Sequence, residues 1–386
     1  MLAGAAETVT VAEIDGQNAK GTLVAWSDTQ VAITVDKPLE ISRSKIRTIT
    51  FERPAKQGIV GGPMVWLSNG DRLAARATKV KDEGLTIAWS ALETALPKPI
   101  PLELVTALFM ELPESAVERN RLYADIDLSP PGNDVIMLLN GDRTDGSFQE
   151  LDSSFAKLET KSGVLQLDRS RVRAVRMNPE LISKLKPLDR RAVLTLVDGS
   201  RISASSVEVV KDLVTVKSPT LGSISISVAK VASCEFFGGL VVPIADRDPR
   251  KVDYTPFLSR TWTLVRNANC LHGPLSIRGA EYPSGLGMHS RMAVVYELKG
   301  NEAFFQSVIG IDDAANGKGS VTFVVEVDEQ RVWASEETTG RSAAVTTPLI
   351  PLKNSKTLRL IVEFGQFADT ADYANWADAI LILANE

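Results

Sequence analysis

Two histidines, His272 and His289, and two cysteines, Cys234 and Cys270, are the most reactive side chains in a chain of 386 residues. A serine triad needs a hydroxyl, an imidazole and an acid held in line. Ser290 follows His289 directly, and neighbours on a strand point to opposite sides, so these two cannot form a nucleophile–base pair. Cys270 and His272 stand two apart in "NCLHGPL" with no acid beside them, and nothing visible there activates the thiol. A metal site would need both imidazoles to converge with at least one carboxylate. Two cysteines make neither a disulfide framework nor a CxxC knuckle, although Cys234 and Cys270 can pair if the fold brings them together.

Glycoside hydrolysis asks for two carboxylates roughly 5 to 10 Å apart across a cleft. Asp312 and Asp313 are adjacent, so on a strand they face opposite ways and cannot address one bond. On a loop three roles stay open for them: capping a turn, bonding a ligand, or holding calcium. The segment "DDAANGKG" lacks the spaced ladder and distal Glu of an EF-hand loop. No catalytic residue is therefore expected, and structural calcium is the one cofactor left open.

The elements that would have to position such groups follow from the rest of the chain. Its length exceeds what one core usually serves, so two or more domains are expected. Hydrophobic residues make up 44% and charged residues 24%, with a net charge of −5. An acidic chain offers no global field for nucleic acid. Arg169, Arg171 and Arg173 share one strand face, but no aromatic is interleaved for base stacking, so that face reads as solvated edge protection. The longest apolar stretch, "FFGGLVVPIA", is too short to span a bilayer. The opening "MLAGAAETVT" has the small-residue look of a signal-cleavage region, which suggests a secreted, periplasmic or cell-surface protein; a cytosolic start fits it equally.

Up to about residue 240 the chain reads as short β-branched strands with four similar turns, at Asp15-Gly16, Asn69-Gly70, Asn140-Gly141 and Asp198-Gly199. Such dipeptides suit type I′ hairpins. A short charged-to-apolar strand follows each turn at near-constant distance: Gly16 to Ile46, Gly70 to Val105, Gly141 to Val172 and Gly199 to Val231, which is 30, 35, 31 and 32 residues. Constant spacing four times over marks an internal repeat. The repeats are expected at 1–54, 62–112, 134–178 and 191–240, each a small antiparallel β-barrel similar in pattern to Sm-like modules. Segment 113–133 is expected as a linker, 179–190 as a linker helix and 241–260 as a connector.

From residue 261 to 386 the strands lengthen and alternate in the manner of a two-sheet sandwich. The succession "LSIRGAEYPSGLGMHS", "VIGIDDAANGKGSVTFVVEVDEQRVW" and "ADYANWADAILIL" resembles the NPCBM family, carbohydrate-binding modules found attached to glycoside hydrolases. The resemblance covers roughly Thr261 to Leu383 and implies a galactose-binding-like jelly-roll sandwich with sugar recognition as its role. One turn departs from the family pattern, with Asp328-Glu329-Gln330 in place of Asp-Gly. No block before the module reads as a catalytic barrel, so the protein is expected not to be an enzyme.

Sugar recognition needs an aromatic face and planar polar groups. Trp262, Tyr282, Trp333, Tyr373 and Trp376 supply candidate faces. Arg278, His289, Asp312, Asp313, Lys318 and Asp378 supply candidate polar groups, and the expected ligand-binding set is His289, Asp312, Asp313, Lys318, Trp376 and Asp378. Alternation places Trp376, Asp378, Ile380 and Ile382 on one face of a strand apolar on both sides, so Asp378 is expected to be buried. His289 and Asp378 are polar intrusions in the two most family-like blocks. They are expected to meet, directly or through the Gly285-to-Gly287 turn, as a structural pair.

The fold class expected is thus all-β, with tandem small antiparallel β-barrel repeats followed by a C-terminal jelly-roll β-sandwich. The expected partner is carbohydrate, bound by the sandwich loops, with the repeats as spacer or protein-interaction scaffold. The competing expectation is a cell-surface scaffold with a vestigial sugar site.

Overall fold

A computed structural model describes residues 7–53, 61–127, 132–186 and 188–384. Its described residues are strand and loop throughout, apart from short 3-10 turns and one α-helix, Ala116–Asp127. The chain divides into two compact units. The first comprises Met1–Glu114 and Leu128–Phe236; the second comprises Ser115–Asp127 and Phe237–Glu386.

In the first unit each repeat begins with a strand that pairs with both the next strand and the last one of the repeat. The four turn glycines have φ between +87° and +92°, while the Asp or Asn before each has negative φ. Each glycine N–H donates three residues back, to Glu13, Leu67, Leu138 or Leu196. These are type I turns closed by a glycine bulge, not the expected type I′ turns, because neither central residue is left-handed and the left-handed glycine comes after them.

The constant spacing has a physical cause. The residue two before each turn glycine (Ile14, Ser68, Leu139, Val197) donates its N–H at 2.9 Å to the last carbonyl of a 3-10 turn, at Lys45, Leu104, Arg171 or Lys230. Those 3-10 turns lead directly into the strands starting at Ile46, Val105, Val172 and Val231. The chain between turn and strand is tied at both ends, which limits its length.

Repeats associate out of sequence order. The final strands of the first and fourth repeats pair with Ile49 opposite Cys234, and those of the second and third with Leu108 opposite Val175. All four residues are the fourth of their strand, so both pairings share one register about a local twofold. A second twofold joins repeats two and four: Arg72 pairs with Arg201, Ser203 N donates to Asp71, and Ala74 N donates to Ser200 Oγ. One continuous apolar core runs through all four, from Val9 through Leu108 and Val175 to Leu194.

The expected linker helix at 179–190 is absent: the described residues there are turn and extended chain until the strand that opens at Arg190. Pro179 and Pro187 bracket a segment too short to nucleate a helix between them. The one α-helix lies instead in the segment read as a linker, and it packs within the second unit.

That unit is a two-sheet antiparallel sandwich. In one sheet the closing strand, Tyr373–Leu383, lies between Gly285–His289 and Glu302–Ile311. The other sheet is ordered Lys251–Tyr254, Met292–Glu297, Thr357–Phe364, Ser320–Val327, Gln330–Ala334. Between the sheets Trp376 meets Phe323 edge-on at 5.1 Å and Phe305 at 6.2 Å. The segment expected as a connector belongs to the sandwich. Val241–Pro243 pairs with the closing strand, and Lys251–Tyr254 forms an edge of the second sheet.

The alternation expected along the closing strand breaks in the middle. Ala374 and Trp376 face the core, but after Asp378 it is Ala379 and Leu381 that do so. Asp378 has φ +44°, and the ladder to the neighbouring strand slips between Gln306 and Val308. This bulge inserts one residue and flips the face. Asp378 is consequently half-buried rather than buried.

Candidate functional site

The family-like "GLGMH" block is a buried strand rather than a turn, because its neighbours approach too closely for side chains. A Cβ on Gly285 would lie 2.3 Å from Trp376 O, and one on Gly287 would lie 2.4 Å from Ala268 O. The strand delivers His289 opposite Tyr373, at the start of the closing strand.

There the His289 ring stacks on Trp262, with centroids 4.3 Å apart and planes within 7°. Tyr373 tilts against both, 5.7 Å from Trp262 and 5.9 Å from His289. The Arg260 guanidinium carbon lies 3.9 Å from the Trp262 ring centre, a cation–π contact. His289 Nδ1 donates to Ser290 O at 2.8 Å, which leaves Nε2 as the acceptor. Burial holds the imidazole below its usual pKa, the Ser290 carbonyl and Asp369 oppose that, and Arg260 adds to it. The ring is therefore neutral at pH 7.

Around this stack the loops carry exposed apolar groups. Phe257 is 52% exposed, Leu258 76% and Phe367 80%. Phe257 meets Phe364 edge-on at 5.7 Å, and Tyr254 donates to Arg260 O at 3.3 Å. Asp369, half-buried, acts electrostatically on Tyr254, His289 and Asp372. The loop that carries Phe367 and Asp369 is anchored at both ends. Gln366 N donates to Ser320 Oγ at 2.9 Å, and Asp372 accepts from Ser290 Oγ at 2.5 Å and Ser320 N at 2.9 Å. Burial pushes the Asp372 carboxyl up to about 6, aided by Asp369 and opposed by the Ser290 and Ser320 donors.

Asp312 and Asp313 stand at the same end but face inward. Asp312 caps the 3-10 turn Asp313–Ala315 and accepts from Ala314 N, Ser276 N, Asn269 Nδ2 and Asn375 Nδ2. Burial pushes its carboxyl up to about 7 against the pull of those donors. Asp313 accepts from Arg278 N and Gly279 N, both at 2.8 Å, which satisfies a hairpin whose two corner residues have positive φ. Both carboxylates are thus occupied by N–H donors, the turn-capping role among the three left open. Among the described residues no cluster of three His, Cys, Asp or Glu could hold a metal. Cys234 and Cys270 are both buried and unpaired.

The remaining expectations divide. Lys318 is exposed on the loop that follows the 3-10 turn. Trp376 is fully buried in the sandwich core and cannot reach a ligand. Asp378 does not meet His289. The ladder sets His289 against Tyr373 and Gly285 against Ala377, and Asp378 N donates to Ser284 O. Five residues of strand separate the two positions, roughly 16 Å. Tyr282, Trp333 and Tyr373 are half-buried and Trp262 is buried.

Sequence reasoning missed Tyr254, Phe257, Leu258, Arg260, Phe367, Asp369 and Asp372. The apolar pair in "TPFLSR", isolated among polar residues, was the available signal for the first loop. It also missed Asn269, a buried hub whose amide reaches Asp312 Oδ1 at 3.0 Å and Asn120 Oδ1 of the helix at 2.9 Å.

Residues 252–382 match the family model described as the NPCBM/NEW2 domain. A Renibacterium salmoninarum protein named for an endo-alpha-N-acetylgalactosaminidase activity is 33% identical over 106 residues, 28% of this chain and 7% of that protein. Among solved structures, CBM51 from Clostridium perfringens GH95 in complex with methyl-galactose is 21% identical, with a TM-score of 0.34 over 36% of this chain and 99% of that one. The tandem CBM51 modules of a Streptococcus pneumoniae family 98 glycoside hydrolase are 13% identical, with a TM-score of 0.33 over 65% of this chain and 88% of that one. Residues 252–382 of this chain are an NPCBM/NEW2 domain.

Proposed function

We propose that the protein binds glycans, without catalysing their cleavage, through the loop end of its C-terminal sandwich. The observation that carries this reading is the Arg260–Trp262–His289 stack with Tyr373 and Asp369 beside it and Phe257 and Phe367 exposed at its rim. Sugar rings present apolar C–H faces to aromatic side chains and pairs of hydroxyls to planar polar groups, and both partners converge here. Asp369 offers a carboxylate acceptor and Arg260 donors, while the buried His289 holds the Trp262 ring in place beneath them. The anchored loop carries Phe367 in place before the ligand arrives, which lowers the entropic cost of binding. The four repeats act as a spacer that presents this end, outside the cell or in the periplasm.

Glycan-array screening of the full chain, followed by calorimetry on the best ligand, tests the proposal. Arg260→Ala and Phe367→Ala should each weaken binding about tenfold or more while circular dichroism is unchanged. The reading is lost if no glycan is retained, or if both variants bind as the parent does.

A second reading has its own support. The repeats expose Val35, Leu39, Val164, Leu165, Val210 and Leu213, each at least 36% accessible, which suits protein contacts on a scaffold. Retention of proteins but no glycans by the full chain would favour it.

A further inference from the structure

The two strand-paired repeat couples of the first unit are built alike, yet they differ at one place. Arg43 and Arg169 are both the first residue of their 3-10 turns. Phe236 and Met110 both lie five residues after the start of their final strands, at Val231 and Val105. In the couple of repeats one and four, the Arg43 guanidinium sits 3.4 Å over the Phe236 ring and fills the position. In the couple of repeats two and three, Met110 replaces the ring, and a cleft of about 500 Å³ opens there.

Arg76 and Arg169 line that cleft together with Met110, Leu139, Val172 and Glu111. Arg169 is fixed in place by donating to the carbonyls of Asp152, at 2.7 Å, and Ala77. Partial burial and the nearby Arg76 both disfavour its charge, while Asp152 favours it. Neither arginine is in a salt bridge among the described residues. Two guanidiniums that share a cleft, neither of them ion-paired to the Glu111 carboxylate that lines it or to Asp152, form a site for an oxyanion, since planar N–H forks match carboxylate and sulfate geometry.

We propose that this cleft binds an oxyanion carried on a sugar-sized molecule, a carboxylate or sulfate ester. Arg76 and Arg169 take the charged group. Met110, Leu139 and Val172 cover the apolar side of the ring, and Glu111 accepts from a hydroxyl at the far end. The site lies entirely in the repeat unit and does not depend on the sandwich reading.

The test is calorimetry on the full chain at low ionic strength with three probes: inorganic sulfate, digalacturonate and neutral lactose. Sulfate and digalacturonate should bind competitively, with digalacturonate the tighter if the ring is recognised and the two equal if the anion alone is. Affinity should fall as salt rises. Arg76→Ala should weaken binding about tenfold or more. Met110→Phe, which restores the ring that closes the other couple, should abolish it without removing any charge. Arg171→Ala, a neighbouring exposed arginine, should leave it unchanged. The proposal is overturned if neither anion binds the parent protein, if lactose binds as well as digalacturonate, or if Arg76→Ala and Met110→Phe bind like the parent. Glycan binding by the sandwich, read on the same variants, should be unaffected, which separates failure here from failure of the sandwich site.

Discussion

His289 shows how far a single residue type can be read. Its isolation in an apolar strand marked it as important, and the lack of neighbours ruled out a triad, but its partner could not be named. Asp378 was the reasonable candidate because it too interrupted an apolar strand, yet the partner is Trp262, which stacks by planarity and leaves no sequence pattern. Burial lowers the His289 pKa, so the folded state binds fewer protons than the unfolded chain just below pH 6.5. Its contribution to stability is thus present above that pH and declines as pH falls toward the lowered value. Ring-proton NMR should give a midpoint below 6.5; one at or above it would contradict the buried stack. Asp372 has the opposite sign. With its pKa raised to about 6, the folded state holds a proton that the unfolded chain releases near 4, so stability from this group falls as pH rises through that window. Carboxyl-carbon NMR should find it titrating near 6, well above exposed aspartates.

At the scale of elements, the glycines of the Gly285–His289 strand are fixed by backbone crowding. Gly287→Ala should cost about 1–3 kcal/mol in urea unfolding of the second unit, since its Cβ would press on the Asn269 and Cys270 backbone. At the bulge, Asp378→Gly should keep the ladder slip and should be more stable in urea unfolding than Asp378→Ala, by about 1 kcal/mol, because only glycine takes the left-handed backbone without a Cβ clash. Strand existence was legible here from β-branched runs and turn dipeptides. The bulge was not, because one residue at positive φ leaves the apolar pattern intact while reversing its face. The helix was missed for a related reason: "SAVERNRLYADID" is mostly polar, and its buried side is short, with Leu122, Tyr123 and Ile126 beside one amide, Asn120, bonded to Asn269. Asn120→Ala should cost about 0.5–1.5 kcal/mol by removing one of the three acceptors, with Pro274 O and Asp312 Oδ1, that surround the buried Asn269 amide, read as lost hydrogen-exchange protection around Asn269–Gly273.

For the whole molecule, repetition was legible because a hydrogen bond between each turn and its 3-10 turn constrains the chain length between them. The order of association was not, since a strand edge carries no label for its partner. Because one core spans all four repeats, the first unit should unfold in one calorimetric transition, and Leu108→Ala, at the twofold centre, should lower it by about 2–5 kcal/mol. Separate melting of the repeats would contradict the shared core. The helix Ala116–Asp127 has a different kind of consequence. It belongs to the sandwich unit but is encoded between the second and third repeats, so the binding module is written in two pieces of the gene. A cut at residue 237 would deliver a portable module lacking the helix and, with it, one of the three acceptors around its buried Asn269 amide. Splicing residues 115–127 ahead of residue 237 through a flexible tether would supply the missing piece, and that permuted chain is the unit to carry to an unrelated protein.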